Sequence, residues 1–233
     1  MGVRAVSHGE NKNNNELADA VASRRYYLGI ESFPPRVISA LRKADRALFA
    51  PPSAKDVYTD VPLPIGNQQT CSQPRMVAAM AALLELSPGL KVLEVGAGCG
   101  YSAAVTAELI SPGGSLFSIE LIPELVAAAK RNLGKLTFDA QVNVIEGDGS
   151  VGLPDKSPFD RIYLTAGIGP FFDEALLIRQ LNEGGILLYP ESHGDMFKVK
   201  KLDGDLIRER FHGVAFVFLR GRNSGYQIGR AHV

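Results

Sequence analysis

From residue 91 onward, short apolar runs alternate with longer stretches of helical period. The runs KVLEV (91–95), SLFSIE (115–120), VNVIE (142–146), RIYLTA (161–166) and GILLYP (185–190) predict strands. Between them, YSAAVTAELI (101–110), PELVAAAKRNL (123–133) and FFDEALLIRQLN (171–182) predict helices. Strands separated by helices of this length imply βαβ units and a parallel sheet. Past Pro190 the period changes to two. FKVKKLDGDLIRERF (197–211) alternates on both sides of Asp203-Gly204-Asp205, a hairpin signal, and GVAFVFL (213–219) predicts a further strand. An antiparallel addition at one end of a parallel sheet is the simplest arrangement. Upstream, RVISALRKADRALF (36–49) and QPRMVAAMAALLEL (73–86) predict helices that pack before the first strand, joined by a proline-rich connection (50–66).

Composition bounds this picture. The chain has 233 residues, 45% of them hydrophobic, enough for one substantial α/β core. Residues 26–220 form the expected domain. Residues 1–25 are polar with an Asn run at 11–15 and read as an extension that is mobile at its start; residues 221–233 read as an irregular tail. Lysine plus arginine equals aspartate plus glutamate, so the formal net charge is zero. That balance argues against a partner such as bulk nucleic acid or acidic membrane. No apolar run approaches the roughly 18 residues of a membrane span, and the N-terminal residues lack the apolar segment of a secretory signal. The two cysteines, Cys71 and Cys99, have no metal-ligand spacing, so no metal is expected. A cytoplasmic setting and a monomer are the favoured expectations.

The chemistry concentrates in VLEVGAGCGY, Val92 to Tyr101, which leaves an apolar strand and opens a helix. Such a turn needs residues without Cβ so that a ligand can approach the backbone. A dinucleotide site wants a small residue after G-x-G-x-x, and Tyr101 stands there, which argues against a nicotinamide enzyme. The spacing of Gly96, Gly98 and Gly100, with Glu94 two residues earlier, resembles motif I of class I S-adenosylmethionine-dependent methyltransferases. A Rossmann-like doubly wound, mostly parallel sheet with a C-terminal antiparallel addition is therefore the expected fold. Glu120 ends the second strand, where a carboxylate can accept both ribose hydroxyls. Asp148 follows the third strand and, in methyltransferases, the matching residue meets the adenine amino group. Asp-Gly is also ordinary turn chemistry.

The chain resembles one family in particular, the protein-L-isoaspartate (D-aspartate) O-methyltransferases, from about Val37 to about Leu219. The most specific segment is VYTDVPLPIGNQQTCSQPRMV; EVGAGCGY, SIE, EGDGS, YLTAGI, LNEGGILLYP and GVAFVFL follow in the family's order and spacing. The resemblance implies methyl transfer from S-adenosylmethionine, leaving S-adenosylhomocysteine, to the carboxylate of L-isoaspartyl residues in peptides and proteins. It implies cofactor contacts from Glu94, Gly96, Ala97, Gly98, Cys99, Gly100, Tyr101, Glu120, Leu121, Asp148 and Gly149. It implies substrate contacts from Ile65, Gly66, Gln69, Thr70, Cys71, Ala166, Gly167 and Val214, and a catalytic, orienting role for Ser72. Ser72 before Gln73-Pro74 also reads as a helix N-cap, and both roles stay open. The nucleophile is a carboxylate, ionised at neutral pH, so no general base is needed. His8 and His232 lie in the tails, His193 and His212 beside the hairpin, and all four read as solvated. Cys71, Cys99 and Phe218 depart from the family, which usually has an aliphatic residue, serine and proline there. A different methyl acceptor, or a non-catalytic cofactor-binding module, remains an alternative.

Overall fold

The computed structural model describes residues 12–226. Three helices precede the sheet: α1 (Asn14–Ser23), α2 (Pro35–Lys43) and α3 (Pro74–Leu83), with a small antiparallel hairpin, β1 (Leu63–Gly66) and β2 (Gln69–Cys71), before α3. The parallel part then alternates β3 (Lys91–Val95), α4 (Tyr101–Ile110), β4 (Ser115–Glu120), α5 (Pro123–Leu133), β5 (Gln141–Glu146) and β6 (Phe159–Leu164). A short α6 (Ala175–Ile178) leads to β7 (Leu181–Pro190), β8 (His193–Leu202) and β9 (Asp205–Ala215). The seven strands lie in the order β5-β4-β3-β6-β7-β8-β9; pairs from β5 to β7 are parallel, and β8 and β9 are antiparallel. This is the Rossmann-like sheet with a C-terminal hairpin that the pattern predicts.

The strands at the centre are buried on both faces, which is why they read as continuous apolar runs. Val92 and Leu116 face a core shared with α1 to α4; Leu93, Val95, Ile119 and Leu164 face the opposite core. From β3 the chain turns one way to β4 and meets β6 on the other side. Such a switch point leaves a crevice at the carboxyl ends of the strands, and ligands bind there in open α/β sheets.

Four elements differ from the sequence expectation. Part of the polar extension is helix α1: the Asn13 side chain accepts the Asn15 and Glu16 N–H groups, and Leu17, Ala18 and Val21 are buried. The buried Asn14 amide donates to the carbonyls of Leu41 and Arg42, tying α1 to the end of α2. Mobility expected of the first residues falls on 1–11, outside the described residues. The helix foreseen over 36–49 ends at Lys43 and continues as a 3-10 turn, Arg46–Leu48. The helix foreseen over 171–182 shrinks to α6, because Phe171 N–H and Asp173 N–H bond to the C-terminal segment instead. The run 213–219 is not a separate strand: 213–215 finish β9, and the chain then crosses to Gly167, whose N–H donates to Val217 O and whose carbonyl accepts Leu219 N–H.

Candidate active site

The crevice at the switch point is a cleft of about 740 Å³, part of it open to solvent. One wall is the end of the hairpin: Gln69, Thr70, Cys71 and Ser72. The floor is the glycine turn, Gly96 to Cys99, with Tyr101. Glu120, Leu121, Ile122 and Gly149 form a second wall, and Thr165, Ala166 and Val217 to Arg220 a third.

The glycine turn is shaped by its neighbours. Gly98 has φ of 53° and donates its N–H to Glu120 Oε2 at 2.8 Å, while Glu120 Oε1 accepts Ile122 N–H at 3.0 Å. Each carboxylate oxygen keeps a further lone pair for a ligand hydroxyl. Gly100 has φ of 92°, and a Cβ there would lie 3.1 Å from Leu133 Cγ, so the close approach of turn to α5 falls on this glycine. Tyr101 is 2% exposed; its ring packs 5.6 Å from that of Phe49, and its hydroxyl has no hydrogen-bond partner. An orphaned buried hydroxyl on one lining residue, and free lone pairs on another, Glu120, fit a polar ligand such as S-adenosylmethionine.

Cys71 and Cys99 are both buried and adjoin each other between hairpin and turn, and the Cys71 thiol donates to Ser72 O at 3.9 Å. The contact between the two cysteines lowers the Cys71 pKa, aided by the nearby Arg46 cation, and raises that of Cys99. The two departures from the family pattern thus face each other.

Ser72 lines the cleft, and no described residue hydrogen-bonds its hydroxyl. The N-cap reading is corrected: the cap position of α3 is Gln73, which makes no side-chain cap bond, and the N–H of Arg75 is taken by Asp60 Oδ1 at 2.9 Å. Pro74 has no N–H to satisfy.

Several expected site residues stand elsewhere. Glu94 is fully buried on β3, where it accepts hydrogen bonds from Ser118 and, at 2.8 Å, from Tyr163. Burial lifts its pKa to about 7 against the pull of those bonds. Its side chain shares the face of Val92, beneath α4, because the pleat alternates. Asp148 stands behind the cleft: Oδ1 accepts Ser150 N–H and hydroxyl, and Oδ2 accepts the Arg222 N–H at 2.8 Å. Burial works to raise its pKa, but these bonds hold it below the usual range. Val214 is a buried core residue of β9, and Gly167 is sealed under the crossing segment, with its carbonyl also accepting the Tyr226 hydroxyl. Ile65 and Gly66 belong to the hairpin but not to the lining; Ile65 sits 3.4 Å from where a Gly98 Cβ would be. His212 bonds to Asp195, and His193 stacks loosely on Phe218. His8 and His232 lie outside the described residues.

The sequence reading gave no site role to Thr165 or Arg220. Thr165 carried a signal: it is a hydroxyl inside the apolar run RIYLTA, and it donates to Gly96 O at 2.5 Å. Residues 217–219 belong to the run 213–219, which the family resemblance implies helps shape the peptide cleft; Arg220 lies just beyond it. Among the described residues no cluster of metal-ligating side chains is present, and no helix is long and apolar enough to cross a membrane.

Comparison with known proteins matches this architecture to one family. The family model described as Protein-L-isoaspartate(D-aspartate) O-methyltransferase matches residues 13–224. A protein-L-isoaspartate O-methyltransferase of Methanopyrus kandleri is 47% identical over 197 residues, covering 82% of this chain and 86% of the relative. One from Methanothrix thermoacetophila is 45% identical, covering 80% and 89%. A solved protein-L-isoaspartate O-methyltransferase superposes with a TM-score of 0.78 at 28% identity, covering 91% of this chain and 67% of that one. The fold is shared with a Plasmodium falciparum protein solved with S-adenosyl-L-homocysteine, at a TM-score of 0.73 and 20% identity, covering 90% and 99%. The chain belongs to the protein-L-isoaspartate (D-aspartate) O-methyltransferase family.

Proposed function

We propose that this chain is a protein-repair enzyme that moves a methyl group from S-adenosylmethionine to the free carboxylate of L-isoaspartyl residues in damaged proteins and peptides. The observation that carries the reading is the meeting of Gln69–Ser72 with the glycine turn and Glu120 in one cleft. When bound, S-adenosylmethionine supplies an electrophilic methyl group on a cationic sulfur. Gly96 to Cys99 would form the surface beneath it, Glu120 would accept its ribose hydroxyls, and Leu121 and Gly149 would hold its base. Asp148 serves this site from behind, by fixing the turn that carries Gly149.

The substrate carboxylate is already ionised at neutral pH, so no side chain has to remove a proton. The protein's contribution is alignment and exclusion of water. Ser72 is the residue assigned to alignment. Its hydroxyl has no capping duty and is free to turn toward a carboxylate oxygen. Gln69, Thr70, Cys71 and Ala166 give the substrate its wall, together with Val217 and Phe218. We also propose a monomer acting in the cytoplasm on peptide rather than nucleic acid; zero net charge supports this, because nucleic-acid binding draws on an excess of positive charge.

The test is incubation with methyl-labelled S-adenosylmethionine and paired peptides carrying isoaspartate or aspartate at one position. Label is expected in the isoaspartyl peptide alone. Equal labelling of both peptides overturns the substrate assignment, and cofactor binding without any transfer favours a binding module.

A further inference from the structure

We propose that Arg46 is a positioning residue for methyl transfer: its guanidinium holds the Ser72 carbonyl and so orients the residue while leaving its hydroxyl free. The assignment rests on Ser72 being the aligning residue.

Arg46 lies on the 3-10 turn after α2 and is 0% exposed. Its hydrogen bonds all run to main-chain carbonyls. Nη1 donates to Val57 O at 3.2 Å and Thr59 O at 2.7 Å; Nη2 donates to Val61 O at 2.7 Å and Ser72 O at 3.1 Å. None of these bonds reaches a carboxylate. A buried cation hydrogen-bonded to main-chain carbonyls is an expensive way to fill space, and an apolar side chain of similar volume would do that better. What the guanidinium adds is geometry: a flat fork of donors that fixes several carbonyls in one plane.

The carbonyls it fixes belong to two places, the connection at 57–61 and Ser72. The same connection grips the far side of Ser72. Asp60 O accepts Gln73 Nε2 at 2.7 Å, and Asp60 Oδ1 accepts Arg75 N–H at 2.9 Å. Ser72 is therefore clamped through its own carbonyl and through the residues that follow it. The guanidinium carbon also stands 5.7 Å from the centre of the Tyr101 ring, so the clamp reaches the glycine-turn wall of the cleft. Cleft wall, connection and Ser72 are thus referred to a single rigid group. A lysine keeps the charge, but its single ammonium cannot span four carbonyls.

A double-mutant cycle tests this. Arg46→Lys and Ser72→Ala are made singly and together, and kcat, peptide KM and S-adenosylhomocysteine affinity are measured on each. Arg46→Lys is expected to lower kcat about tenfold or more while KM and cofactor affinity move less than about threefold. In the Ser72→Ala background the same change is expected to alter kcat by less than about twofold, because there is no hydroxyl left to misplace. Equal fold-losses in the two backgrounds overturn the assignment. Full turnover in Ser72→Ala alone overturns the reading of Ser72 instead, so the two failures are distinct. Should Arg46→Lys lose cooperative thermal unfolding, Arg46→Gln takes its place in the cycle. Loss of folding in both shows that the guanidinium serves the whole fold, and the assignment falls.

Discussion

The Ser72 hydroxyl has no hydrogen-bond partner among the described residues, and that freedom decides what its removal does. A capping serine exchanged for alanine costs about 1 kcal/mol of stability. Here Asp60 satisfies the first turn of α3, so Ser72→Ala is expected to melt within a degree or so of the parent. Turnover is a different matter. Loss of an aligning contact is expected to slow it about 10²-fold, roughly 2.7 kcal/mol of barrier, with little change in cofactor affinity. Thermal melts and single-turnover rates on the same samples check both halves; a destabilised protein with normal turnover would restore the capping role. At this scale the sequence was informative where side chain and backbone act together. Gly96, Gly98 and Glu120 lie in the cleft as their spacing predicts, and the QTCS segment lies there as the family resemblance implies. Glu94 does not, because the pleat that brings it near the turn also points it under α4. Asp148 does not, because its lone pairs are consumed locally by Ser150 and Arg222. Spacing along the chain carries no information about which way a strand residue faces once both faces are buried.

Among the elements, the segment from Leu219 to Tyr226 is irregular yet tightly fastened. Leu219 and Arg220 line the cleft. Asn223 is 8% exposed; its N–H donates to Ser150 Oγ at 2.9 Å, its amide nitrogen donates to Ser150 O and Asp173 O, and its amide oxygen accepts Asp173 N–H. One side chain thus joins the loops after β5 and β6 to the tail. Asn223→Ala leaves buried groups unpaired, which costs about 1–3 kcal/mol. The expected result is a lower denaturant midpoint together with weaker S-adenosylhomocysteine binding by calorimetry, since this segment forms one wall of the cleft. Unchanged binding in a destabilised protein would show that the segment serves the fold alone. Regular elements were legible: the five parallel strands, α3 to α5 and the Asp203-Gly204 hairpin follow directly from period and turn chemistry. The others depend on contacts far along the chain. Helix α1 is specified as much by Asn14 reaching the end of α2 as by its buried apolar residues Leu17, Ala18 and Val21. Helix α6 is short because Phe171 and Asp173 are committed to the tail.

For the molecule as a whole, the buried Glu94 couples stability to pH. Its carboxyl sits between β3, β4 and β6, shut off from water, and burial raises its pKa from 4.5 to about 7 although Ser118 and Tyr163 donate to it. Below the ordinary value the acid is neutral in both folded and unfolded chains, and the folded state has the full benefit of that neutrality. Between 4.5 and about 7 the unfolded chain gives up its proton while the folded chain retains it. Stability therefore falls as pH rises through this window, by about 1.4 kcal/mol per pH unit for this one group. Above about 7 both states are ionised and the loss, on the order of 3 kcal/mol, is complete. Glutamine matches the neutral acid in shape and never ionises, and the Ser118 and Tyr163 hydroxyls can turn to suit it. Glu94→Gln should therefore be close to the parent near pH 4 and more stable than it near pH 8, with the gap opening between. Other carboxylates titrate in both proteins alike, so the difference between two urea-unfolding series isolates Glu94. A constant difference at every pH would mean that the carboxyl titrates alike in the folded and unfolded chains, with the Ser118 and Tyr163 hydrogen bonds offsetting burial.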